Sequence, residues 1–225
     1  MPYYINIHTH RQDNSTGSLF SIFNLPFSTE NIPENLFFST GCHPWDIKEI
    51  SVTKIEKQLK WFLQNEKLLA VGEIGLDRHI DTDIELQKKA FKTQLQIANN
   101  IKKPAIIHCV RAYSDLLNIL KTEKIEIPLI LHDYNGNSVQ TKRLLDFNCY
   151  FSFGKSIFQN RPKLQETFGQ LPLNRIFFET DESEITIESV YSKAVEIRSI
   201  PLQQLIDQQD QNFAEIFGGN ILSSR

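Results

Sequence analysis

The sequence predicts an α/β chain folded as a parallel (β/α)8 barrel, with the helix after the second strand reduced or absent. Three observations carry this expectation. Eight short apolar runs recur along the chain, and the better ones are continuous rather than alternating, as in strands covered on both faces. Amphipathic helical stretches separate most of them. Each run stops at a polar or charged residue, and ionisable side chains gather at those stops.

The predicted strands cover 4–8, 19–25, 36–40, 68–74, 104–108, 128–132, 149–153 and 175–180, the second being the weakest. Between them, 52–66 places Ile55, Leu59, Phe62 and Leu63 on one helical stripe. Residues 83–99 do the same with Leu86, Ala90, Phe91, Leu95 and Ala98. Shorter helices are expected at 114–121, 138–147 and 163–168. Two closing helices follow at 187–197 and 202–217, with Pro201 where the second begins. Residues 11–35 hold Gly17, Pro26 and Pro33 and show no helical stripe, so the second βα unit loses its helix. With no linker, low-complexity tract or fixed-period repeat, the expectation is one domain over 1–225.

The composition suits such a barrel. The 225 residues are 40% hydrophobic and 23% charged, enough for a full core and a hydrated surface. A net charge of -3 gives no global field to attract a polyanion or a membrane, so any phosphate recognition has to be local, inside a cleft. Cys42, Cys109 and Cys149 form no C-x-x-C pair and read as small buried hydrophobes. Their odd count, in a chain whose opening MPYYINIHTH lacks a signal-peptide pattern, fits a reducing cytoplasm. No apolar run approaches the roughly 18 residues of a membrane span, so no membrane partner is expected, and nothing points to an obligate protein partner.

Five of the six histidines lie at or just beyond a predicted strand's C-terminal end: His8, His10, His43, His108 and His132. Glu73 and Asp181 do likewise. In a parallel barrel these ends share one face, where such barrels hold their active sites. A lone histidine is more often a satisfied core or cap residue, but five on one rim call for a common cause. Metal ligation supplies it, since neutral imidazole binds divalent metals and carboxylates add charge and can bridge. His8 and His10, two apart on an extended chain, point the same way. Four histidines (His8, His10, His108, His132) with Glu73 and Asp181 exceed the needs of one tetrahedral ion and suit two divalent metals, with Glu73 as the bridge. Asp181 has a second task open to it, accepting a proton from the attacking water.

The segments INIHTH, GCHPW, VGEIGLD, PAIIHC, LHDYNG, YFSFG, FFETD and NFAEIFG resemble, in order and spacing, the TatD family of metal-dependent hydrolases, part of the amidohydrolase superfamily. The resemblance runs from residue 5 to about 218. It implies a TIM-type barrel, divalent ions (Zn, Mn, Ni or Mg) and phosphodiester hydrolysis, typically of DNA. It also implies that His8, His10, Glu73, His108, His132 and Asp181 are the ligands and that His43 is a catalytic or substrate-binding residue. The chain departs from the family in placing Arg111 one position later than usual after His108, and in following E-T-D with Glu182-Ser183-Glu184. These departures fall on the rim that reads substrate, not on the ligands.

The remaining rim residues have two readings each. Arg111 either clamps a phosphate through its planar fork or pairs with Asp115 one turn on. Lys155 faces substrate or solvent. Asp77 orients a neighbouring ligand, Arg78 meets phosphate, and His79 is an exposed loop residue. Gly41, Gly72, Gly75 and Gly136 permit tight backbone. Trp45 and Tyr134 could stack a base, though packing beneath the loop is the expectation favoured for Trp45. Three functions follow: a phosphodiesterase acting on single-stranded DNA or DNA ends, a hydrolase of a small amide, lactone or phosphoester, and a degenerate barrel kept for binding. Retention of every ligand argues against the last.

Overall fold

The computed structural model describes residues 3–11 and 19–223. Gly17 lies outside the described residues. The elements run β1 (Tyr4–Thr9), β2 (Leu19–Asn24), β3 (Phe38–Thr40), α1 (Val52–Phe62), β4 (Leu68–Asp77), α2 (Ile84–Asn100), β5 (Ala105–Val110), α3 (Tyr113–Thr122), β6 (Leu129–Leu131), α4 (Ser138–Leu145), β7 (Cys149–Phe153), α5 (Pro162–Gln170), β8 (Ile176–Phe178), α6 (Ile187–Arg198) and α7 (Leu202–Phe217). A last short helix, α8, covers Asn220–Ser223. Strand order follows chain order from β1 to β8, and Thr9 forms a parallel bridge to Asp181, just past β8. This is the topology of a parallel (β/α)8 barrel. No helix lies between β2 and β3, as expected. Among the described residues, no helix is long and apolar enough to cross a membrane.

Contacts group the chain into two compact units, Met1–Phe23 with His132–Arg225, and Asn24–Leu131. In the first, the core is aromatic: Phe151, Phe153, Phe168, Phe177, Phe178, Tyr191 and Phe213 are fully buried. Each such side chain contributes about 1.5–3 kcal/mol by leaving water. Polar groups dock the helices on the strands. The Tyr191 hydroxyl accepts from Ile5 N and donates to Ile5 O, both at 3.1 Å, which seats α6 on β1. Asn212 on α7 donates to the carbonyls of Leu173 and Ile176, both at 2.9 Å, and so holds the start of β8.

In the second unit, all ten residues of β4 are buried, which explains the uninterrupted apolar reading of that segment. The strand continues to Asp77, three residues beyond the expected end, so Glu73 sits within it rather than at its tip. Helix α2 corrects the predicted stripe. Gln87 and Gln94 are fully buried, while Leu86 is exposed. The two glutamines lie seven residues apart, two turns on one face. Gln87 accepts from Asp77 N (2.8 Å) and donates to Asp77 O (2.9 Å), and Gln94 does the same for Cys42 (2.7 and 3.0 Å). Each glutamine thus satisfies both the amide and the carbonyl of one residue, Asp77 at the end of β4 or Cys42 just past β3, a task no apolar side chain can perform.

Gly75 shows how tightly β4 and β5 approach. Its φ is +156°, and a Cβ there would run into the carbonyl oxygen of His108. Gly75→Ala is therefore expected to cost about 2 kcal/mol or more from strain and overpacking, lowering Tm by about 4–8 °C in a chain of this size. Thermal denaturation tests this, and an unchanged Tm would contradict the packing described.

Candidate metal centre

In the first unit the backbone builds the site before the side chains do. Asp181 N donates to His8 O (3.0 Å), and His10 N donates to Asp181 O (3.1 Å). Asp181, three residues past β8, is thus locked between His8 of β1 and His10 just beyond that strand. Thr180 reinforces this: its amide donates to Asn6 Oδ1 (3.1 Å), and Asn6 Nδ2 donates to its hydroxyl (2.8 Å). Asp181 takes a left-handed φ of +52°, which aspartate tolerates better than most residues. Its Oδ1 stands 3.7 Å from His8 Nε2 and 3.5 Å from His10 Nε2. The three ligand atoms all lie within 4.8 Å of one another. Two imidazoles and one carboxylate, with His8 fully buried, are a donor set fitted to a divalent cation.

His132 lies beside them, its ring 4.7 Å from that of His8. Its Nδ1 is 3.4 Å from Oε1 of Glu179, a fully buried carboxylate that also accepts Asp133 N at 2.7 Å. A proton on Nδ1 would face Glu179 and leave Nε2 as the ligand lone pair. Burial, and then the charge of Glu179, raise the pKa of Asp133. Lys155 is a half-exposed partner of Asp181, 3.5 Å away, rather than a lysine alone in solvent. Burial opposes its charge, but Asp133 and Asp181 outweigh burial and raise its pKa.

The second unit holds another group. Glu73 Oε1 stands 2.7 Å from His108 Nδ1 and 3.2 Å from His43 Nε2, again with ligand atoms within 4.8 Å. The register of β4 against β5 shifts between Val71 and Ile74, the stretch that carries Glu73. Its amide donates to Asn24 Oδ1 (3.2 Å). The second nitrogen of His108 faces Asp77 Oδ2 at 3.3 Å, so Asp77 orients this ring as the sequence suggested. Burial alone would raise the pKa of Asp77. The His108 ring, the Trp45 indole and the His79 amide outweigh it and hold the carboxyl well below the usual range.

The structure therefore gathers His8, His10, His132 and Asp181 within the first unit, and His43, Glu73 and His108 within the second. Glu179, Asn6, Thr180, Gln87 and Gln94 escaped sequence reasoning. The signal for the glutamines was two polar residues interrupting an apolar helical face.

Several rim expectations are corrected. Arg78 is held by Asp115 through two bonds (2.6 and 3.0 Å), so it is not open for phosphate. Asp115 also pairs with Lys88 at 2.9 Å and is not the partner of Arg111, which is exposed with φ +52°. Tyr134 is buried on Phe151, with its hydroxyl 2.8 Å from Thr141 Oγ1, so it cannot stack a base. Trp45 is exposed and not packed under its loop. His79 is exposed, and the three cysteines are buried free thiols, as expected. Burial raises the Cys149 thiol to about 12.

The family model described as "TatD related DNase" matches residues 25–218. A Bacillus subtilis relative named as the metal-dependent hydrolase YabD is 30% identical over 189 residues, 80% of this chain and 72% of its own length. A human relative named as a 3'-5' RNA nuclease, TATDN2, is 33% identical over 159 residues, 68% of this chain and 21% of that protein. The crystal structure of YJJV, a TatD homolog from Escherichia coli, superposes with a TM-score of 0.82 at 22% identity, over 95% of this chain and 97% of that one. This last likeness bears on the fold alone and agrees with the (β/α)8 barrel. The chain belongs to the TatD family of metal-dependent hydrolases.

Two outcomes are expected here. Glu179→Gln keeps an oxygen for Asp133 N but sets an amide against His132, so divalent-ion affinity should fall about 10–100-fold by calorimetric titration. Unchanged affinity would remove Glu179 from this role. The second concerns acid. The Arg78 fork, and then Lys88, hold Asp115 at about 2, below the ordinary carboxylate value. A depressed folded pKa contributes stability above the unfolded pKa of about 3.9 and loses it as pH falls toward 2. Asp115→Asn should therefore lower Tm at pH 6 and match the parent protein near pH 2. A Tm difference independent of pH would refute the pairing.

Proposed function

We propose that the chain is a TatD-like deoxyribonuclease, a phosphodiester hydrolase acting on single-stranded DNA or DNA ends with two divalent ions. The observation that carries this reading is the pair of imidazole–carboxylate groups: His8–His10–Asp181, compact enough to offer three atoms to a cation, and Glu73–His108, with the His43 ring beside them. In this reading His8, His10, Glu73, His108, His132 and Asp181 would be the ligands. Bound divalent metal supplies Lewis acidity and an attacking water acidified to near neutral pH. Asp181, held in place by its backbone bonds to His8 and His10, would be the residue that accepts a proton from the attacking water. His43, hydrogen-bonded to Glu73 and part exposed, faces substrate. Arg111, exposed and not committed to Asp115, is the guanidinium left for phosphate. The family's description and the nuclease name of the human relative support nucleic acid as substrate.

One observation favours a second reading, hydrolysis of a small amide, lactone or phosphoester. Glu182, exposed, approaches the His10 ring at 3.9 Å, and Glu184 takes up the charge of Arg11 at 3.6 Å, so this edge of the first group offers a polyanion an acid and no free arginine. Metal-reconstituted protein assayed on single-stranded DNA, duplex DNA and generic phosphoesters separates the two. Single-stranded DNA is expected to be cleaved with the highest kcat/KM, and rates confined to small substrates would establish the second reading instead.

Asp181→Asn keeps the size and one oxygen ligand but removes the base, so turnover should fall about 10²–10⁴-fold at saturating metal. Glu73→Gln should act differently, lowering metal content together with rate and recovering in part with excess metal. Near-native turnover in Asp181→Asn at saturating metal would rule out the proposed base.

A further inference from the structure

Trp45 is the most exposed of the large aromatic side chains among the described residues, at 62%. It is nevertheless held at several points. His43-Pro44-Trp45-Asp46 forms a turn closed by Asp46 N donating to His43 O at 3.0 Å, with proline at the position such turns prefer. Trp45 N donates to His43 Nδ1 at 3.2 Å. The indole N–H donates to the buried Asp77 Oδ2 at 2.8 Å. The ring centroid lies 5.0 Å from that of His43 and 6.4 Å from that of His108, with the planes near perpendicular at 87° and 78°. Neither imidazole is stacked parallel on the indole.

An aromatic ring kept in water costs free energy, and a structural tryptophan would be expected to bury its faces. Here the indole is fixed at its polar edge, against a carboxylate that also orients His108, and by perpendicular contacts with two imidazoles, while most of its surface stays exposed. The side chain is thus immobilised in advance, and a ligand binding to it would lose little side-chain entropy. We infer that Trp45 is a stacking platform for one unpaired nucleobase next to the scissile phosphate. This inference rests on the phosphodiester reading above. Every base has a π-face, so such a platform selects for an unpaired nucleotide rather than for sequence. A duplex, whose bases are stacked on one another, does not present that face. The ring stands beside His43 and His108, which places the stacked base adjacent to the second imidazole–carboxylate group.

The test uses manganese-reconstituted protein carrying Trp61→Phe, which leaves Trp45 as the sole tryptophan emitter of the two. The probes are a short phosphorothioate oligothymidylate, resistant to hydrolysis, and an abasic strand of the same length and charge. The thymidylate strand should quench Trp45 emission and bind about 5- to 150-fold more tightly than the abasic strand, the range one base–aromatic stack is worth. In Trp45→Ala the ratio of the two Kd values should collapse to unity. Trp45→Phe, which keeps a ring but loses the N–H to Asp77, should retain the ratio. A ratio preserved in Trp45→Ala overturns the platform. Loss of the ratio in Trp45→Phe assigns the effect to the bond with Asp77 and overturns stacking. Equal Kd values in the parent protein overturn the subsite alone, whereas no binding of either strand overturns the phosphodiester reading together with it.

Discussion

A carboxylate removed from water has to be answered by donors or positive charge, and in the second unit Glu73 imposes that demand. It is buried on β4, and its Oε1 faces two imidazoles brought from elsewhere in the chain, His43 beyond β3 and His108 on β5. Much of the surrounding architecture serves this meeting. β4 and β5 approach so closely that position 75 has no room for a side chain. Glu73 lies within the irregular stretch of β4, Asn24 takes its amide, and Gln94 grips the backbone just before His43. Asp77, gripped in turn by Gln87, holds the far side of His108. The surroundings of one buried charge thus account for glycine, asparagine and glutamine at positions where an ordinary core would use apolar residues.

The first unit meets the same demand with backbone. Asp181 is stitched on both sides to the segment that carries His8 and His10, so its carboxylate has little freedom to follow a ligand or to leave. Lys155 partly balances its charge at a distance that side-chain rotation can change. The rigid element is thus the acid, and the adjustable one is the cation beside it.

The strands and ligands were readable because both obey simple periodicities. Continuous apolar runs gave β1, β4, β5 and β7 with small errors at their ends, and the missing helix after β2 followed from proline and glycine without a helical stripe. The residues one step removed from the ligands were not readable, for a physical reason. Whether Asp115 pairs with Arg78 or Arg111 depends on how α3 lies against the end of β4, not on the i,i+4 spacing that made pairing with Asp115 one of the two candidate roles of Arg111. Gln87 and Gln94 looked like lapses in an apolar face because the backbone groups they satisfy come from distant segments. Trp45 and Tyr134 exchanged their expected environments. One is held by a carboxylate at its edge and the other by a threonine hydroxyl within the core, and neither partner can be inferred from local sequence.

The bare connection between β2 and β3 has a consequence for how the protein comes apart. Leu25 and Phe27 are buried, with Phe27 6.0 Å from Phe62 of α1, and Gln58 donates to Thr29 O at 3.4 Å. Beyond these anchors the segment turns outward, and Glu30, Asn31, Pro33, Glu34 and Asn35 are exposed. Without a helical ladder its amides gain no cooperative protection, and opening it releases two buried apolar side chains and a few hydrogen bonds, those of Leu25 with Ser39 and Thr40 and that of Thr29 with Gln58. Sub-global opening therefore begins here at a small fraction of the global unfolding free energy. A protease would nick this stretch while α1 and the strand bearing Glu73 remained folded, leaving an enzyme cut in its chain but whole in its chemistry.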